Sequence, residues 1–125
     1  MELPIKISQQ SREPIYHQIE NQIKALIASG QLQTGTSLPS IRALSKDLEV
    51  SVITTRRAYQ NLEYQGFIQT LQGKGTFVAD LNPSIKQEIK QDSVSRALSE
   101  AIETAYQHNY SKQQIKKLFL SLLDT

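Results

Sequence analysis

Residues 38–78 read LPSIRALSKDLEVSVITTRRAYQNLEYQGFIQTLQGKGTFV, and this stretch decides the fold. Ser40 follows Pro39 and can cap a helix in which Ile41, Leu44 and Leu48 fall at helical spacing. A tight break is predicted at Glu49-Val50. Ser51 then caps a second helix, with Ile53, Ala58, Tyr59 and Leu62 marking its inward face. Gly66 ends that helix as a left-handed stop. Phe67, Ile68 and Leu71, and then Thr76, Phe77 and Val78, have strand character on either side of Gln72-Gly73-Lys74-Gly75. Helix, tight turn, helix and β-hairpin, in that order, predict a winged helix-turn-helix.

Upstream, Pro14 suits the first turn of a helix, where its missing N–H costs nothing. Ile15, Ile19, Ile23, Leu26 and Ile27 make one apolar stripe, and Gly30 stops the helix. Tyr16 and His17 lie beside the stripe, His17 as a partly exposed helix residue. Residues 31–37 (QLQTGTS) read as a turn-rich connector with Gly35 as its flexible point. In residues 1–13, Leu3, Ile5 and Ile7 alternate; a strand, an arm laid on a neighbour and a frayed tail all fit that pattern.

Downstream, Asn82-Pro83 marks a boundary, because proline blocks continuation of the last strand. Apolar residues from Ile85 to Tyr106 make a long helical pattern, with a bend or break expected near Gln91-Asp92-Ser93. His108-Asn109-Tyr110 closes it. Ser111 and Gln114 form a capping-box pair that opens the last helix, striped by Ile115, Leu118, Phe119, Leu122 and Leu123. Two helices of this length cannot bury two such stripes in isolation. They need the head of their own chain or a second copy, and a C2 homodimer is the reading adopted, with Leu98, Ile102, Ile115, Leu118, Phe119 and Leu122 as the dimerisation residues. The expected architecture is mainly α with a small β-wing: a winged helix-turn-helix head over residues 1–80 and a two-helix dimerisation tail over residues 81–125.

Composition narrows the chemistry. A chain of 125 residues allows one compact domain, or a small domain with an appendage. The net charge of +2 is no signature of nucleic-acid binding, so any such argument must come from where the charges lie. With no cysteine there is neither a disulfide framework nor a thiolate metal site. His17 and His108 lie in different segments without metal-ligand partners at helical spacing, so no metal is expected. No nucleophile–base pair or carboxylate pair can be assembled, which argues against an enzyme and against a cofactor. Gly73-Lys74-Gly75-Thr76 is not a phosphate loop, which needs Ser or Thr right after the lysine. No apolar run approaches the roughly 18–20 residues needed to span a bilayer, and no signal-peptide layout is present, so a cytoplasmic protein with no membrane partner is expected. A tail of about 45 residues is short for enclosing a small-molecule pocket of roughly 300 Å3, and no effector is assigned.

A helix entering a major groove uses side chains near its amino end for base edges, while its N–H groups favour phosphate. Here that end is Ser51-Val52-Ile53-Thr54-Thr55-Arg56-Arg57. Ser51, Thr54 and Arg56 can donate hydrogen bonds, and an exposed Val52 can meet a thymine methyl. Thr55 joins this candidate set. Arg56 and Arg57 point about 100° apart, so one at most is central. Arg42, in the first turn of the preceding helix beside the Ser40 cap, is a cation at an unfavourable helix end, which a phosphate contact would explain. Lys46, on the same face, reads as a solvated lysine. At the hairpin tip Gln72, Gly73, Lys74 and Gly75 place one cation between glycines that let backbone come close to a phosphate chain.

The spaced blocks LPS-x-R, VS, T-x-R-x-A-x-x-x-LE-x-x-G-[FL]-I and Q-G-x-G-T-[FY]-V, over residues 14–80, resemble the amino-terminal domain of GntR-family bacterial transcription regulators. The short helical tail resembles the YtrA subfamily. The resemblance implies that Arg42 and Arg56 meet the DNA backbone and that Gln72, Gly73 and Lys74 reach the adjacent minor groove. Larger relatives carry an effector-binding domain after the wing; this chain has only its tail. Two departures are visible: Val52 stands where many members have arginine, removing a guanine reader, and Ile41 and Ala43 stand where acidic residues often flank the motif's arginine. The function so implied is a homodimeric, sequence-specific regulator, a repressor, on a pseudo-palindromic double-stranded DNA operator. The competing reading is a winged-helix protein-interaction module.

Overall fold

The computed structural model describes residues 2–125. Its elements are α1 (Ile15–Ala28), α2 (Ile41–Leu48), α3 (Val52–Tyr64), β1 (Ile68–Leu71), β2 (Gly75–Val78), α4 (Pro83–Gln107) and α5 (Lys112–Leu123). Mainly helical, with one two-stranded antiparallel sheet, it is a winged helix. The chain divides into two units, Met1–Lys90 and Gln91–Thr125.

In the first unit the stripe on α1 supplies the base of the core. Ile19, Ile23 and Ile27 are fully buried, against Leu44 of α2 and Ala58 and Leu62 of α3. Burying a side chain of that size stabilises the fold by roughly 1.5–3 kcal/mol. Both serine caps form: Ser40 Oγ accepts from the Ala43 N–H and Ser51 Oγ from the Thr54 N–H, each at 3.0 Å. Between α2 and α3 the chain turns through Glu49, left-handed at φ 57°, after which the Val50 N–H reaches the Ser45 carbonyl at 3.0 Å. Gly66, at φ 87°, ends α3.

The hairpin pairs Ile68 with Val78, Gln69 with Phe77, Thr70 with Thr76 and Leu71 with Gly75. The connector before α2 also joins the wing. Val78 N–H donates to the Thr36 carbonyl at 2.9 Å and Leu38 N–H to the Thr76 carbonyl at 2.8 Å. Glu63 Oε2, near the end of α3, accepts the Thr70 N–H at 2.7 Å and ties the wing to that helix.

The amino-terminal residues are an arm laid on α1. Leu3 and Ile5 are buried in the core. Two glutamines one turn apart hold the arm's backbone as a neighbouring strand would. Gln22 accepts from the Lys6 N–H at 2.9 Å and donates to its carbonyl at 2.7 Å. Gln18 does the same with Ser8, at 2.9 and 3.0 Å. Glu20 on α1 is only 3% exposed and receives the Asn61 amide of α3 at 3.0 Å.

The long helix α4 differs from expectation, being continuous over Pro83–Gln107 with no break at Gln91-Asp92-Ser93. Those residues are polar but neither proline nor glycine, so each keeps its helical N–H bond at a modest propensity cost. Asp92 also pairs with Arg96 one turn on, at 3.0 Å. Asn109, at φ 65°, closes the turn after α4, and Ser111 with Gln114 makes the full capping box of α5. Neither α4 nor α5 buries a single residue.

Candidate nucleic-acid interface

The orientation of α3 fixes what this surface offers. Its buried residues are Thr55, Ala58, Tyr59 and Leu62. At about 100° per residue, Ile53 stands about 140° from Ala58 and about 180° from Leu62. Ile53 therefore points to solvent and is 76% exposed, which corrects its expected place on the inward face. Thr55 takes the inward place instead. It is 0% exposed and cannot present a side chain to a groove, which corrects its inclusion among the DNA-facing residues. Its hydroxyl donates to the Ser51 carbonyl at 3.2 Å, so the buried oxygen is not left unpaired.

At the amino end of α3, Ser51 and Thr54 close on each other. Ser51 Oγ donates to Thr54 Oγ1 at 2.7 Å while accepting the Thr54 N–H. Ser51 thus has no hydroxyl hydrogen left to donate, whereas the Thr54 hydroxyl can still donate outward. Val52 is half-buried beside them. Arg56 is exposed. Arg57 is exposed too, but its guanidinium carbon sits 3.9 Å from the Tyr16 ring centroid, held against α1. Gln60 and Tyr64, seven and eleven residues after Ile53, share its face, and Tyr64 is 94% exposed. Ile53, Gln60 and Tyr64 are not among the residues the sequence points to at this face, although their angles from Leu62 place all three there.

Exposed cations also stand on α2 and at the wing tip. Arg42 is exposed in the first turn of α2, beside the Ser40 cap. The entry to α2 is anchored from α3: Tyr59 Oη donates to the Pro39 carbonyl at 2.7 Å. The wing tip exposes Gln72, Gly73, Lys74 and Gly75, and its turn needs glycine at φ 78° and 114° on either side of the lysine. Among the described residues no carboxylate forms an ion pair with Arg42, Arg56 or Lys74. The fold so leaves Arg42 on α2, Arg56 on α3 and Lys74 on the wing, with exposed Lys46 on α2 besides, as cations without a carboxylate partner. His17 instead pairs with Glu13 at 2.6 Å. The described residues contain no cluster of groups able to hold a metal ion, and no helix long and apolar enough to cross a membrane.

In the second unit, Leu98, Ile102, Ile115, Leu118, Phe119 and Leu122 all line one open apolar cleft of about 370 Å3 between α4 and α5. The tail is therefore large enough to form a concavity of that size, though it does not enclose it.

The family described as bacterial regulatory proteins, gntR family, matches residues 15–78, from α1 through β2. The chain is 33% identical over 114 residues to the HTH-type transcriptional repressor YtrA of Bacillus subtilis (strain 168), spanning 91% of this chain and 85% of that one. A solved GntR family transcriptional regulator from Listeria monocytogenes matches with a TM-score of 0.68 at 27% identity, over 90% of this chain and 97% of that chain. The DNA-binding domain of AraR, solved in complex with operator ORX1, matches with a TM-score of 0.51 at 30% identity, over 63% of this chain and 92% of that chain. These relatives are regulators of transcription and not enzymes. The chain belongs to the gntR family of bacterial regulatory proteins, as a YtrA-like winged helix-turn-helix transcription regulator.

Proposed function

We propose that the protein is a homodimeric repressor that occludes a promoter by binding a pseudo-palindromic operator, in the cytoplasm where that DNA lies. The observation that carries this reading is that Arg42 on α2, Arg56 on α3 and Lys74 at the wing tip are all exposed and have no carboxylate partner. Phosphate contacts from these three would set register, with Ser40 fixing the entry of α2 and the backbone at Gln72, Gly73 and Gly75 lying against the minor groove. Val52, Thr54 and the outer face of α3 would read bases. Ser51 would act by holding Thr54, and Arg57 at the rim. AraR, with a domain of the same fold, was solved on operator DNA, which supports this use of the surface.

Residues 1–80 form the DNA-binding head in this reading, and residues 81–125 the dimerisation tail. Two apolar stripes without a buried residue support pairing with a second copy. A C2 pair presents two α3 helices to two half-sites and doubles the cationic surface.

The test is fluorescence anisotropy on the duplex upstream of the protein's own gene and on a shuffled duplex, at several salt concentrations. Tight binding to the first alone, at one dimer per site, is expected. Equal, steeply salt-dependent binding to both removes sequence specificity at that site. No binding to either at low salt moves the function to protein interaction, for which exposed Ile53 and Tyr64 are the available anchors.

A further inference from the structure

The outer face of α3 begins on an aliphatic side chain that the fold does not use. Ile53 is 76% exposed in the first turn, on the side opposite Leu62. Local stability gives no reason for it. A β-branched residue is a weaker helix former than alanine, and its apolar surface stays in water. The hydrogen-bonding groups of its own turn are largely committed, although Arg56 and Gln60 further along the helix stay exposed. Ser51 and Thr54 are closed on each other, Thr55 is turned inside, and Arg57 is drawn back over Tyr16. What this turn offers a groove is an isoleucine flanked by half-buried Val52, with a single hydroxyl hydrogen on Thr54.

Base edges in the major groove carry donors, acceptors and one apolar group, the 5-methyl of thymine. Among these groups, an aliphatic side chain in the first turn of a reading helix is complementary to that methyl. We infer that Ile53 is a specificity-determining residue that reads thymine by packing on its 5-methyl group, with Val52 at its flank. This inference rests on the operator reading above. It separates this chain from a reader that uses a guanidinium fork for guanine. It also predicts that the preference lies in the methyl group and not in the pairing of the base.

The test removes that methyl and nothing else. The full chain selects its preferred site from a pool of random duplexes, and each thymine of that site is then replaced in turn by deoxyuridine, which pairs identically. Affinities are read by anisotropy at one salt concentration. One position per half-site is expected to weaken about three- to five-fold, the worth of a buried methyl-sized group. Ile53→Ala should bind thymine and deoxyuridine equally at that position while keeping the wild-type salt slope, whereas Val52→Ala keeps most of the difference. If Ile53→Ala binds too weakly to measure, Ile53→Val decides: a reduced thymine-to-deoxyuridine ratio supports the inference and an unchanged ratio overturns it. A wild type indifferent to every replacement overturns it and leaves the operator reading standing. So does an Ile53→Ala variant that keeps the full penalty. A pool that yields no preferred site overturns both readings together.

Discussion

Tyr59 in the middle of α3 donates its hydroxyl to the carbonyl of Pro39, 2.7 Å away and twenty residues earlier. The bond fixes the entry of α2, and with it Ser40 and Arg42, to the helix that would lie in the groove. Tyr59→Phe removes the donor and leaves the carbonyl without its partner, at a cost of about 1–2 kcal/mol. In a head of this size that lowers Tm by roughly 4–8 °C per kcal/mol. Differential scanning calorimetry reads the loss, and an unchanged Tm would mean that water replaces the bond freely.

The same residue gives a pH dependence. Burial raises the Tyr59 pKa well above its ordinary value of 10.0. The unfolded chain therefore releases the phenolic proton at a lower pH than the folded chain. Its stabilisation is fully present below pH 10.0 and is lost as pH rises from there toward the folded pKa. Denaturant titrations above that pH should show stability falling more steeply in the wild type than in Tyr59→Phe. Parallel curves would refute the linkage.

Two adjacent arginines should behave differently. Arg56 has no ion-pair partner among the described residues, whereas Arg57 stacks on Tyr16. Arg56→Ala, and likewise Arg42→Ala, should flatten the slope of log affinity against log salt by about one unit. Arg57→Ala should cost about 0.5–1 kcal/mol of stability instead, with a smaller change of slope. Equal slopes for the wild type, Arg42→Ala and Arg56→Ala would remove both from the phosphate contacts.

What the sequence made legible was local. Ser40, Ser51 and the Ser111–Gln114 box announce helix starts within one turn, and Gly66 and the glycines about Lys74 announce their turns, because each needs only its neighbours. The hidden features are long-range or angular. No local pattern says that Gln18 and Gln22 will clasp an arm ten and sixteen residues earlier. Nor does one say that residues 36–38 will pair beside β2. Ile53 is apolar, which suggests the inward face, although its spacing from Leu62 puts it on the opposite one. Thr55 is polar and so joins the DNA-facing candidates, although a threonine can satisfy its hydroxyl on the carbonyl one turn back and be buried.

Glu49 carries a Cβ in a left-handed conformation, at φ 57° and ψ 45°, in the turn between α2 and α3. That geometry costs a non-glycine residue roughly 1–2 kcal/mol, part of which glycine gives back through its freer unfolded chain. Glu49→Gly should therefore raise stability by up to about 1 kcal/mol. Glu49→Val, whose branched side chain suits this region least, should lower it. Chemical denaturation of the three proteins orders them, and the reverse order would place the strain elsewhere.

The tail reading is tested by charge placed in its apolar cleft. Phe119 and Leu122 line the cleft, while Leu120, on the same helix and 60% exposed, does not. If the cleft face is covered by a second copy, Phe119→Asp buries an unpaired carboxylate at the interface and should halve the sedimenting mass at micromolar concentration. Leu120→Asp should leave it unchanged. Operator affinity should fall in Phe119→Asp by a factor of about 100 or more, because two linked heads bind with an avidity that one lacks. The core of the head shares no residue with the cleft, so loss of the dimer should leave its thermal transition in place. A Phe119→Asp protein that stays dimeric would put the contact on another face of the helices, and a wild type that sediments as a monomer would end the C2 operator reading.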